Sequence, residues 1–377
     1  MGDLRMIKVH AGLAVAGLTA LLSATPASTV LAFDAGIVTR QALEGHIRPG
    51  YGRLADAFAQ LETAFAALCK SPSEPALAQV DTAYRAAVVA WGGVEHLRFG
   101  PVAEKNRYER IAFWPDPKGI GRRQVARAMR KRDPSLQDVE RLSKKSVALQ
   151  GLTALELVLH GKGRDTLKTA DEAGKTADEA GAFRCSYGET ITRNLSAISR
   201  EIVEAWSPDG AFAKLWLSVG PENPVYRSAQ EAARELVRTY IDGLESVRQF
   251  KIRASLGLGP DGPRRKRRAA FSRSGLAVAL ITANAAGLRD LFVDGGLADQ
   301  LSPEDPGLAV SIRGELDRAV EVAQTIAFSK GMRLAEPAVE EKLLLMGFPL
   351  ANARETAGDL LADAVGLPIR FTDSDAN

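Results

Sequence analysis

Thr153, Glu156 and His160 are the residues whose spacing could carry chemistry: three apart and then four, a helix sets all of them on one face, close enough to share an ion. Glu156 also lies beside the apolar stripe of Leu149, Leu152, Leu155 and Leu159. A carboxylate buried there without a partner is costly, so one is expected. A metal is one partner. A structural hydrogen bond or ion pair inside a helical bundle is the other, with His160 then simply well placed at a helix C-terminus. Spacing alone leaves both open. Other routes to catalysis close quickly, because the chain has no phosphate-binding glycine loop, no G-x-S-x-G, no H-E-x-x-H and no C-x-x-C. Beyond the first 32 residues only His46, His96 and His160 remain, too few for a histidine-rich cage within one chain.

The elements that must position these groups read as helices. Leu54, Phe58, Leu61, Phe65 and Leu68 recur at steps of four and three, and Leu77, Val80, Tyr84, Val88 and Trp91 resume the pattern after Ser71-Pro72-Ser73-Glu74-Pro75. That spacing predicts two antiparallel helices joined by a short turn. Residues 92–121 lose the period at Phe99-Gly100-Pro101 and Phe113-Trp114-Pro115-Asp116-Pro117, as an ordered loop would. Helical pattern returns over 121–132, 135–160, 185–206, 223–253, 271–292, 308–326 and 337–365. β-branched alternation is almost absent, so the chain reads as all-α. A polar insert near 162–182, which repeats TADEAGK as TADEAG, carries no apolar stripe. Glycines and prolines crowd 257–263 just before the basic run 264–268, whose charges have no interleaved aromatics; a solvated loop face is expected there rather than nucleic-acid binding.

Arg5 and Lys8 precede an apolar run from Ala11 to Leu22, and Val30-Leu31-Ala32 fits a small-residue cleavage site. Residues 1–32 are therefore expected to be a secretory signal, the run being too short for the ~20 residues that span a bilayer. No later segment is apolar enough to span one, and a net charge of +3 with 25% charged residues gives no reason to invoke nucleic acid. Export places Cys69 and Cys185, the only cysteines, where disulfides persist, and their pairing is expected; two separate buried thiols are the alternative. The remaining length exceeds what one core usually serves, so two domains are expected.

Several segments carry a resemblance. Trp91-Gly-Gly-Val-Glu95-His-Leu-Arg98-Phe-Gly-Pro101, Arg110-Ile-Ala-Phe-Trp114-Pro-Asp-Pro117, Gly151 to Gly161, Arg184-Cys185-Ser-Tyr187 and Arg273-Ser-Gly275 with Asn284 resemble the imelysin-like family of bacterial envelope proteins, from about Ile47 to Phe371. The resemblance implies two pseudo-duplicated helical bundles, drawn here as 33–206 and 207–377, with a cleft between them. It implies a periplasmic or outer-membrane-associated role in iron or haem acquisition. It further implies a G-x-H-x-x-E signature whose His and Glu hold a metal in the namesake peptidase, and here Thr153 stands at the histidine position. A hydroxyl is a poor ligand for zinc and a weak one for iron. The expectation is thus a non-catalytic periplasmic protein in iron or haem uptake, with Glu95, Arg98, Thr153 and Arg273 lining a ligand cleft and Glu156 and His160 as the groups nearest to metal ligands for iron or another divalent ion. A metal-dependent peptidase and a structural helical partner of an outer-membrane receptor are the alternatives.

Overall fold

The computed structural model describes residues 33–367, apart from 117, 172–177, 260–261, 264–268, 302–305, 329–331, 333 and 335. The expected signal at 1–32, the centre of the polar insert and the basic run 264–268 lie outside the described residues.

Asp34 caps the first helix, accepting the Gly36 and Ile37 N–H groups at 2.9 Å. This helix, α1 (Ala35–Ala42), runs through a π-helical turn at Leu43–Ile47 into α2 (Arg48–Lys70). Ser73 caps α3 (Glu74–Gly92), and Pro75 sits in its first turn, where a missing N–H costs nothing. Short helices α4 (Arg107–Ile111), α5 (Ile120–Lys131) and α6 (Val139–Ser143) lead to α7 (Gly151–His160) and the long α8 (Glu179–Trp206). Then follow α9 (Ala211–Leu217), α10 (Ala229–Glu245) with a π-helical continuation at Ser246–Arg253, and α11 (Ala254–Leu256). The chain closes with α12 (Ala277–Val293), α13 (Pro306–Gln324) and α14 (Pro337–Ala364). Two-residue strands at Leu258–Gly259 and Gly262–Pro263 are the only β-strands among the described residues.

The predicted stripes are the core: Leu54, Phe58, Leu61, Phe65 and Leu68 of α2 and Leu77, Val80, Tyr84, Val88 and Trp91 of α3 are all 0% exposed. Each side chain of this size contributes about 1.5–3 kcal/mol by leaving water. α2 packs between α3 and α8, while α10, α12, α13 and α14 pack together; α3 joins the groups by lying on α12, and α1 crosses to α10. Gly92 and Gly287 make the α3–α12 contact close, since a Cβ on Gly92 would lie 2.6 Å from that of Ala283 and one on Gly287 2.3 Å from the Gly93 carbonyl. Cys69 and Cys185 are bonded across 116 residues and join the end of α2 to the first turns of α8, as expected.

Three expected helices are shorter than their periodicity; the one expected from Asn223 begins at Ala229, because the Asn223 side chain accepts the Val225 and Tyr226 N–H groups in a turn. The run over 135–160 breaks before Gly151, whose φ of 72° disfavours any side chain and whose Cβ would strike the Ile111 carbonyl at 2.3 Å. The break leaves Gln150 extended and fully buried, where its Oε1 accepts from Arg110 Nε at 3.1 Å and Asn194 Nδ2 at 3.0 Å. The helix expected from Phe271 begins at Ala277, because Phe271 (φ 54°) and Gly275 (φ 77°) turn the chain first.

Candidate functional site

That turn supplies the partner expected for Glu156. The carboxylate, 7% exposed on α7, accepts at Oε1 from the Ser274 backbone N–H and from its hydroxyl, both at 2.9 Å. Phe271 O lies at the same 2.9 Å from Ser274 Oγ, yet a hydroxyl has one hydrogen for the two acceptors. A protonated Glu156 resolves the conflict by donating to Ser274 Oγ. Its pKa is raised, burial being the largest cause and outweighing the Ser274 hydrogen bonds and the Arg273 charge that act the other way.

His160, one turn further along α7, faces Arg164 and Asp81. Arg164 Nη1 lies 3.3 Å from His160 Nδ1, and a guanidinium only donates, so Nδ1 accepts and the ring hydrogen belongs on Nε2, 3.6 Å from Asp81 Oδ1. Arg164 also grips both Asp81 oxygens, at 3.1 and 2.5 Å, and the Leu159 carbonyl at 2.9 Å. Its pKa is raised, first by the hydrogen bonds to Asp81. Tyr84 donates to the Leu152 carbonyl at 2.9 Å and sets its ring 5.9 Å from that of His160. Asp81, Tyr84, Arg85, His160, Arg164 and Ser274 line a cleft of about 420 Å³.

Glu95 and Arg98 line a different cavity, of about 100 Å³, which shares no lining residue with the first. Glu95 Oε1 takes Lys251 Nζ at 2.6 Å and Oε2 takes Asn284 Nδ2 at 2.8 Å, all three side chains being buried. Arg98 lies over the Tyr108 ring, 4.9 Å from its centroid. Thr153 lines neither cavity; its hydroxyl accepts the Phe113 N–H at 3.2 Å and ties α7 to the loop after α4. The candidates therefore divide into His160 in the larger cleft with Glu156 joined to it through Ser274, Glu95 and Arg98 at the smaller cavity, and Thr153 and Arg273 lining neither.

No three His, Cys, Asp or Glu residues among the described residues are grouped to hold a metal ion. Beside this cleft the donor set itself disfavours a bare cation, since His160 Nδ1 faces a guanidinium and Glu156 Oε1 is held by the Ser274 N–H and hydroxyl. Asp81, Arg164, Ser274 and Lys251 escape a sequence reading because each acts from a separate helix, π-turn or loop. Asp81 and Arg164 lie 83 residues apart, and Lys251 lies 156 from Glu95.

No curated protein matches this sequence. An imelysin-like protein from Psychrobacter arcticum 273-4 has a similar solved structure, with a TM-score of 0.72 at 18% identity, covering 91% of this chain and 100% of that one. A protein named iron-regulated protein A precursor, from Parabacteroides distasonis ATCC 8503, is similar at a TM-score of 0.62 and 14% identity, covering 88% and 93%. At such identities the likeness carries the all-α fold. The sequence model of the imelysin family matches residues 47–346, most of the length and both groups of helices. The chain belongs to the imelysin family.

Proposed function

We propose that this chain is an exported, periplasmic binding protein that takes up iron as an anionic complex, haem or a carboxylate chelate, in the cleft lined by Arg85, His160 and Arg164, without catalysing a reaction. The carrying observation is the lining. Arg85 and Arg164 stand at an opening whose lining carboxylate, Asp81, is held by Arg164, while Glu156 behind it is engaged by Ser274. Planar guanidinia suit carboxylates, such as haem propionates, better than metal ions. The name of the Parabacteroides neighbour, an iron-regulated protein, supports a link to iron. Delivery would involve an outer-membrane or periplasmic uptake partner. Within this reading we keep the division into bundles 33–206 and 207–377, with α1 as the element that crosses to α10.

Isothermal titration of the chain from Phe33 onward with haem, ferric citrate, ferric, ferrous and zinc ions tests the reading. Haem or ferric citrate should bind with a Kd below ~100 μM, about −5.5 kcal/mol, and the bare ions more weakly. Arg164→Gln should weaken the anionic complex about tenfold, roughly 1.4 kcal/mol. Tighter binding of a bare ion together with chelator-sensitive cleavage of an unfolded protein would replace this reading with a metal-dependent peptidase. No binding of any of these ligands, with co-purification of an outer-membrane receptor, would leave a structural partner.

A further inference from the structure

Next to Glu95 lies a pair of buried histidines that plays no part in the cleft. His46 stands on the π-helical turn Leu43–Ile47 and His96 on the loop after α3, and their Nε2 atoms are 2.9 Å apart, with ring centroids at 5.0 Å. Both rings are buried, 1% and 8% exposed, and both Nδ1 atoms are buried with no hydrogen-bond partner among the described residues. Two Nε2 atoms at this distance hold one hydrogen between them: one ring donates and the other accepts. A further proton must go to an Nδ1, where it makes a buried donor with no acceptor and a buried charge with no counter-ion.

The surroundings offer no relief. The nearest carboxylate in sequence, Glu95, is committed to Lys251 from the π-helical segment after α10 and to Asn284 from α12. Arg53 on α2 is a cation acting on His46, and Arg98 and Asp242 share the small cavity with His96, opposite in charge and at its open side. Gly243 of α10 lets the His96 side chain approach, since a Cβ there would lie 3.1 Å from the His96 Cβ. The two π-helical segments thus contribute one polar residue each, His46 and Lys251, to adjacent positions of the same loop. Such π-turns are often kept where a side chain must be aimed for function.

We propose that His46 and His96 form an acid-sensitive joint, closed while both rings are neutral, whose protonation frees the π-turn between α1 and α2 from the loop that carries Glu95 and so opens the small cavity. Burial holds both rings far below the ordinary 6.5, His46 at about 3 with Arg53 as a second cause, and His96 well below with His46 as its second cause. The joint is then closed at and above the open-state value near 6.5 and loses closure as the pH falls from there toward 3. Each ring that takes its proton only on opening favours the open form by about tenfold per pH unit.

Hydrogen exchange on the chain from Phe33 onward, between about pH 7 and about pH 4.5 with times scaled for intrinsic rates, tests the joint. Amides around 43–47 and 94–97 should lose at least about tenfold protection per pH unit below about pH 6, while α13 keeps its own. The double variant His46→Gln with His96→Gln, in which neutral amides replace the rings, should lose that pH dependence. Nitrogen-15 spectra of the wild-type rings give a second readout should the variant not fold, and both rings should stay neutral down to about pH 5. Protection independent of pH in the wild type, unchanged pH dependence in the double variant, or rings titrating near 6.5 while protection holds would each overturn the proposal.

Discussion

The two polar clusters of this protein are built on opposite plans. Around Glu95 the polar groups are sealed in and bonded to one another: Lys251 and Asn284 hold the carboxylate, and the histidines hold each other. Around Glu156 the carboxylate and the His160 and Tyr84 side chains are buried, but Asp81, Arg85 and Arg164 stand at an opening several times larger. Acid also acts on them with opposite sign. The buried histidines resist protonation, whereas burial makes Glu156 hold its proton more firmly than it would in water. A sealed cluster joins elements and loses that role when charged; an open one retains donors that a ligand can use. The contrast assigns structure and switching to the first and ligand binding to the second.

The contrast breaks most visibly at Lys251. Replacing it by Met leaves Glu95 buried with Asn284 alone, and removing one member of a buried pair commonly costs about 3–5 kcal/mol. Guanidinium unfolding at neutral pH should show that loss, and adding Glu95→Gln to Lys251→Met should recover part of it because no unpaired charge then remains. A loss below about 1 kcal/mol would mean that water reaches Glu95 as freely as it reaches a surface pair, and the two clusters would no longer differ in kind.

A smaller effect is expected from Cys69→Ser with Cys185→Ser, about 2–5 kcal/mol. Its reach across the two clusters is the sharper measurement. Next to Cys185, Arg184 donates to the Val158 and Lys162 carbonyls at 2.5 Å and so holds the end of α7 that carries His160. Loosening the start of α8 should therefore raise hydrogen exchange around 156–164 and leave 43–47 and 94–97 protected. Equal loosening of both would show that the clusters share one cooperative unit.

Most of the fold was legible because helix periodicity is local. The stripes of α2 and α3 and the cysteine pair could be read directly, and the breaks at Gly151 and before Ala277 could not, since backbone geometry and distant contacts set them. The site was half legible for the same reason. Glu156 beside a leucine stripe announced that it needed a partner, but Ser274 sits 118 residues away on a turn that periodicity had assigned to a helix. Thr153 and Glu156 share a helix face at the level of spacing, yet the Phe113 N–H draws Thr153 to the loop after α4. His46 and His96 gave no local signal at all, because the contact between them spans 50 residues and depends on a π-turn.

The smallest expected effect, and the finest test of the contrast, comes from Glu156→Gln. A glutamine keeps an oxygen to accept the Ser274 N–H and gains an amide that can donate to Ser274 Oγ, freeing the hydroxyl for the Phe271 carbonyl. It therefore imitates the protonated carboxyl, and stability at neutral pH should change by no more than about 1 kcal/mol, in the variant's favour. The pH profile carries the argument. Because the folded-state pKa of Glu156 is raised, its proton stabilises the wild type fully below the ordinary value of 4.5, and that contribution fades as pH climbs through the raised one. Variant and wild type should thus be nearly equal in acid, with the variant pulling ahead as pH rises, a trend opposite to that set by the histidines. Unfolding midpoints measured at several pH values decide it. A variant that instead falls behind by about 2 kcal/mol or more at neutral pH would show that the charged carboxylate, held by Ser274 and Arg273, outweighs its burial, and Glu156 would then be a sealed structural group like Glu95.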